Sequence, residues 1–249
     1  MKLAFSKATA DLDESNALRA GFRLAGYEGL QLKPNQYTEY VDDPARFLKD
    51  WGNNEGVASG MITLTDLSDS SVEALRKTFA FGSKVGTDLI VLVHYVPREG
   101  LTDDDIRAYA RELSALGKEA QSAGVKLSLH HHYQNPVMHR KDFDTFFAEA
   151  DTSVVGLTVD TAHLVKSGVY DIAGLIRDMK PVIDNFHLKD FADGEFKVLG
   201  QGNIDFAPIF AAISEIGYDG WVSADEESGS GLDPAMQECF DFMTKGFVK

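Results

Sequence analysis

Short apolar runs alternate along this chain with longer stretches whose apolar residues recur at helical spacing, and the alternation persists from end to end. Lys2–Ser6, Gly29–Leu32, Val57–Leu64, Leu89–His94, Val125–Leu129, Val154–Asp160, Asn185–Leu188 and Trp221–Ala224 read as strands. Between and after them, Glu14–Ala25, Asp43–Trp51, Ser70–Lys84, Thr102–Ala123, Arg140–Ala150, Ile172–Met179, Phe206–Ile216 and Pro234–Phe247 read as helices. Local signals support the boundaries. Asp69 and Ser70 suit an N-cap, the acidic run at 103–105 sits at the positive end of a helix dipole, and Gly124 supplies a stop.

Regular strand–helix alternation is the pattern of a parallel α/β fold. An open doubly wound sheet shares it, but no GxGxxG or GxxxxGK[ST] follows any strand. At 249 residues the chain matches the roughly 250 of one closed barrel. The expectation is an α/β protein with a single (β/α)8 TIM barrel domain over residues 1–249.

Composition narrows the partners. Lys and Arg total 24 against 39 Asp and Glu, a formal charge of -15, which repels nucleic acid and anionic membranes at long range. Cys239 stands alone, so it forms no intrachain disulfide, and no cysteine cluster exists for structural zinc. The first residues lack a signal-peptide pattern and no run of about 20 apolar residues occurs, so a cytoplasmic protein without a membrane span is expected.

Candidate chemistry collects at the strand ends, which in a barrel face one shared mouth. The fifth strand runs into His130, His131 and His132, the sixth into Asp160 and His163, the seventh into His187 and Lys189, and the eighth into Asp225, Glu226 and Glu227. Imidazole and carboxylate are the ligands that Mn2+, Mg2+, Co2+ or Zn2+ take from protein. Strand alternation puts His130 and His132 on one side and His131 on the other. His94 and His139 read as ordinary structural histidines. Asp160 also suits a helix N-cap, and two of the three acids at 225–227 suit a solvated turn. Phe5, Trp51 and Tyr133 are candidates to line the mouth and stack on a sugar, with a core role as the alternative for Phe5 and Trp51.

The segments VDTAHLVKSG at 159–168, NFHLKD at 185–190, VLGQGNIDF at 198–206 and GYDGWVSADEES at 217–228 resemble the xylose isomerase-like barrels, a superfamily of sugar isomerases, epimerases, inosose dehydratases and abasic-site endonucleases. The resemblance covers essentially the whole chain. It implies a divalent metal held by a Glu, an Asp, a His and a Glu from the last four strands. Asp160 and His187 match the middle two, whereas His130 stands where the first Glu belongs and Asp225 where the second does, with Glu226 beside it. The implied ligands are therefore His130, Asp160, His187 and Asp225.

The resemblance also implies proton removal next to a carbonyl through an enediolate, with Asp225 or Glu226 as one acid/base group and His130 or His132 as the other. Lys189, His163 and Tyr133 are the expected substrate contacts. A metal-dependent isomerase or epimerase on a ketose or keto-polyol is the first expectation. A lyase or dehydratase on a keto-sugar or keto-inositol is the alternative, and a non-catalytic carbohydrate-binding barrel ranks below both. Phosphodiester hydrolysis conflicts with the charge of -15. A small, non-phosphorylated carbohydrate is the expected partner, and self-association follows from the resemblance alone.

Overall fold

The computed structural model of the protein describes residues 1–247. Its strands are β1 (Lys2–Lys7), β2 (Gly29–Leu32), β3 (Gly60–Thr65), β4 (Leu89–His94), β5 (Lys126–His130), β6 (Val155–Asp160), β7 (Ile183–Leu188), β8 (Asp190–Ala192), β9 (Glu195–Lys197) and β10 (Trp221–Glu226). Eight of them close a parallel barrel in the order β1-β10-β7-β6-β5-β4-β3-β2, while β8 and β9 form a separate antiparallel hairpin. The single barrel expected from the sequence is the fold. Closure is made by β1 against β10, in register from Lys2 opposite Trp221 to Lys7 opposite Glu226.

Burial follows the barrel's two surfaces. Apolar residues on the outward side of the strands and the inner faces of the helices form one continuous core, in which Leu18, Phe22, Phe79, Phe81, Leu113, Phe143, Phe146 and Ile213 are buried. Phe5 belongs to this core against Tyr27, and Trp51 stacks on Phe47 within it. The barrel interior is instead polar between β5, β6 and β7, where Ser128, Thr158 and Asn185 are fully buried.

The structure adjusts several boundaries. β3 starts at Gly60 and not Val57, because the Val57 and Ser59 amides are used in turn hydrogen bonds to Asn54 and Gly56. The following helix, Asp69–Val85, starts with Ser68 at its N-cap, and it is Asp66 that gathers Ser68 and Ser71. Short helices at Pro34–Tyr37 and Thr161–Lys166 and the β8–β9 hairpin were outside the sequence expectation. Between Leu157 and Thr158 the β6–β7 register slips, so Leu157 faces Ile183 and Thr158 faces Asn185, leaving Asp184 as an extra residue of a bulge. Among the described residues no helix is long and apolar enough to cross a membrane.

Candidate metal centre

The C-terminal ends of β5, β6, β7 and β10 bring His130, Asp160, His187 and Asp225 together, all of them buried. Asp160 lies directly across the ladder from His187. His130 Nε2 is 3.5 Å from Asp160 Oδ2, and His187 Nδ1 is 4.0 Å from Asp160 Oδ2 and 3.6 Å from Asp225 Oδ2. The 3.5 and 3.6 Å separations are close to the edge of a tetrahedron with metal–ligand bonds of about 2.1 Å, which is about 3.4 Å, and the 4.0 Å separation is longer.

Each of these facing atoms is buried without a hydrogen-bond partner. Lone pairs in that condition are costly unless something electropositive meets them. The two oxygens of Asp160 divide their work. Oδ1 accepts the backbone N–H of His163 at 2.9 Å and caps helix Thr161–Lys166, whereas Oδ2 stays open to the cluster. The capping role is present, and the same side chain keeps Oδ2 directed at the cluster. By converging ligand atoms, two buried triads that share Asp160 fit a divalent cation: Asp160, His187 and Asp225, and His130, Asp160 and His163, whose Nε2 is also without a hydrogen-bond partner.

Surrounding residues fix the orientation. His187 Nε2 sits 2.7 Å from Gln31 Oε1, which directs the opposite nitrogen at the carboxylates. Gln31 is locked in turn by a reciprocal amide pair with Asn185, at 2.7 and 3.1 Å. His131, turned outward against Phe143, accepts the Asp160 backbone N–H on Nε2 at 2.9 Å. Burial lowers His187 and His131 to about 3, so both are neutral.

Two buried lysines distinguish the site. Lys189 Nζ is 2.7 Å from Asp225 Oδ2, 2.7 Å from Glu227 Oε2 and 3.5 Å from Asp160 Oδ2. Lys33, just after β2, reaches Asp225 Oδ1 at 2.7 Å and Glu227 Oε1 at 2.8 Å. Both ammonium groups thus meet the Asp225 carboxylate as close charge partners. Burial pushes the Asp160 and Asp225 carboxyls up. For Asp160 the charge of Lys189 overcomes that push, and for Asp225 the charges of Lys189 and Lys33 do, so both stay well below the carboxylate range.

Other expected site residues fall in different places. Glu226 is buried, but alternation turns it from the Asp225 side; it accepts Ser228 and faces Lys7 at 3.9 Å, and its charge is felt by Tyr27 and Cys239 in the helix layer. His132 stacks on His163 with ring centroids 3.6 Å apart, and burial lowers it to about 4. Tyr133 lines a neighbouring cavity of about 730 Å³ with Tyr95, Arg98, His132 and Lys166. His94 packs on Tyr109, and His139 stands at the N-cap of helix Arg140–Glu149. Gln31, Lys33 and the cluster role of Glu227 went unforeseen; a polar pair in the otherwise apolar β2 segment was the available sign.

Residues 22–245 match the family model described as Xylose isomerase-like TIM barrel. An inosose dehydratase of Lacticaseibacillus casei is 32% identical over 163 residues, which cover 58% of this chain and 53% of that protein. This alignment thus spans about half of the relative's length. An inosose dehydratase of Clostridium botulinum (strain Eklund 17B / Type B) is 28% identical over 258 residues, covering 90% of this chain and 84% of the relative. Among solved structures, the IOLI protein with a binding zinc atom superposes with TM-score 0.81 at 18% identity, covering 99% of this chain and 98% of that one. L-ribulose 3-epimerase follows with TM-score 0.76 at 21% identity, covering 99% and 94%. At these identities the structural likeness speaks for the fold.

Proposed function

From the chain's membership of the xylose isomerase-like TIM barrel family, we propose that it is a divalent-metal-dependent lyase that removes water from a keto-polyol of the inosose type. The observation carrying this reading is the pair of buried triads sharing Asp160 at the barrel mouth, Asp160 with His187 and Asp225 and Asp160 with His130 and His163. A divalent cation bound there supplies Lewis-acid stabilisation of a developing enolate oxygen.

The chain's own groups favour elimination over two-base epimerisation, which needs two free acid/base groups on opposite faces of the substrate. Here the first strand-end position is an imidazole, His130, and Asp225 is pinned by two ammonium groups at 2.7 Å. Its role is structural and electrostatic, not proton shuttling. His132 is the better base: Nδ1 faces the Tyr133 carbonyl at 3.1 Å and therefore carries the proton, leaving Nε2 free, and the ring is neutral at pH 7.

In the dehydration, a C–H bond next to the carbonyl breaks and its proton passes to His132. The β C–O bond then breaks, its oxygen leaves as water with the proton that His132 took up, a C=C bond forms, and His132 returns to its neutral state. Carbon undergoes no net oxidation, so no redox partner is required. Lys33 and Lys189 hold positive charge at the mouth throughout.

The test is metal analysis of the purified protein and of Asp160→Asn/His187→Ala, followed by incubation with an inosose in D2O. Bound metal that the variant lacks, together with an enone or dione product, supports the lyase. Deuterium entry with epimeric or isomeric products and no water loss returns the isomerase or epimerase reading. Absence of both metal and turnover after reconstitution overturns the proposal and leaves a carbohydrate-binding barrel.

A further inference from the structure

A chain of hydrogen bonds runs through the barrel interior from His187 to the opposite, N-terminal end. His187 Nε2 meets Gln31 Oε1 at 2.7 Å; Gln31 Nε2 donates to Asn185 Oδ1 at 2.7 Å; Asn185 Nδ2 donates to Thr158 Oγ1 at 3.3 Å. Thr158 and Ser128 hydroxyls lie 2.7 Å apart, and Ser128 Oγ donates to Asp184 Oδ1 at 2.5 Å. The four intermediate side chains are essentially without solvent contact.

Local sequence builds the far end. Asp184 is the extra residue of the β6–β7 bulge, which re-aims a side chain that strict alternation would turn outward. Gly156 opposite leaves the room, because a Cβ there would overlap the Asp184 carboxylate.

The order of protons along this column follows from its end group. At pH 8 Asp184, raised by burial to about 7, is ionised and its carboxylate only accepts, so Ser128 must donate to Asp184, and the Thr158 hydroxyl must then donate to Ser128. Thr158 is left to accept from Asn185 Nδ2, which sets the Asn185 and Gln31 amides with Gln31 Oε1 toward His187. That oxygen also only accepts, so His187 carries its proton on Nε2 and keeps Nδ1 bare. If the end group donated instead, every link could reverse: both amides would flip, Gln31 would donate to His187 Nε2, and the proton would move to Nδ1.

The structure assigns Asp184 as a positioning residue that, through Ser128, Thr158, Asn185 and Gln31, holds His187 in the tautomer whose Nδ1 faces Asp160 and Asp225. The consequence for metal rests on the function proposed above; the tautomer does not. A carboxylate orienting a metal-binding imidazole is a general device, here stretched over four intervening side chains.

The experiment uses the full-length protein at pH 8, with metal removed for tautomer measurements. Histidine 15N shifts report the His187 tautomer, and competition against a chelator reports Zn2+ affinity. Wild type is expected to show Nε2–H. Asp184→Leu, which leaves Ser128 without its acceptor, is expected to mix the His187 tautomers and to weaken Zn2+ binding about tenfold. Ser128→Ala cuts the column without changing charge, and carries the test if the Asp184 variant does not fold. It is expected to mix the tautomers and weaken Zn2+ binding in the same direction. The double variant should be no worse than the more damaging single one, because both act through one path. An unchanged His187 tautomer in either folded variant, or effects that add in full, overturns the assignment. Should the wild type bind no Zn2+, the functional proposal fails while the tautomer shifts still decide this one.

Discussion

Asp160 answers two demands with one carboxylate: Oδ1 caps helix Thr161–Lys166 and Oδ2 faces the cluster. Asn caps a helix about as well as Asp, but its amide offers one neutral oxygen in place of a charged one. Asp160→Asn is therefore expected to cost little stability, on the order of 1 kcal/mol or less from capping, yet to abolish tight metal binding. Denaturant titration alongside metal analysis checks the split; loss of stability together with retained metal would contradict it. The same residue shows what sequence could reveal at this scale. The order of His130, Asp160, His187 and Asp225 along the chain was readable because each ends a strand. Lys33 and Gln31 were not readable, since their roles come from partners 192 and 156 residues away in number, Asp225 and His187. Glu227 looked like turn solvation until two lysines met it.

At the level of elements, strands and helices were legible because each has its own period, and the departures have local causes. The β8–β9 hairpin escaped because each strand has three residues and a single large apolar side chain, Phe191 or Phe196, too few for a period to show. The bulge in β7 escaped for a related reason: one added residue leaves the apolar pattern almost unchanged while turning Asp184 inward. Gly156 on β6 is the sequence trace of that turn. Gly156→Ala forces its Cβ into the Asp184 carboxylate, and overpacking of this kind costs about 1–3 kcal/mol. Urea unfolding should show the midpoint fall without a change of slope; a neutral or stabilising result would mean that Asp184 has room to move.

For the whole molecule, burying several neutral imidazoles makes stability depend on acid. His94 and His132 are lowered to about 4 and His131 and His187 to about 3, all by burial, against about 6.5 in an unfolded chain. Between those limits the unfolded state binds more protons, so stability is full above pH 6.5 and is lost progressively toward pH 3. Asp184 opposes this, because burial raises it to about 7, with the Ser128 bond and the Lys126 charge pulling it back; its contribution fades as pH rises from about 4 to 7. Four imidazoles outweigh one carboxyl. Metal-free protein is thus expected to unfold at lower urea concentration at pH 5 than at pH 7.5, and equal midpoints would show that the imidazoles stay hydrated. The fold class itself was legible throughout, since length, alternation and strand-end chemistry all pointed to one barrel.

Because β1 pairs with β10, the barrel closes between strands that lie far apart along the chain. During synthesis a growing chain can pair β2 with β1 early, but the other edge of β1 stays bare until Trp221–Glu226 has emerged. The same late segment brings Asp225. A chain without its final strand therefore lacks both the partner that closes β1 and the Asp225 carboxylate, so barrel closure and completion of the Asp160–His187–Asp225 cluster stand or fall together.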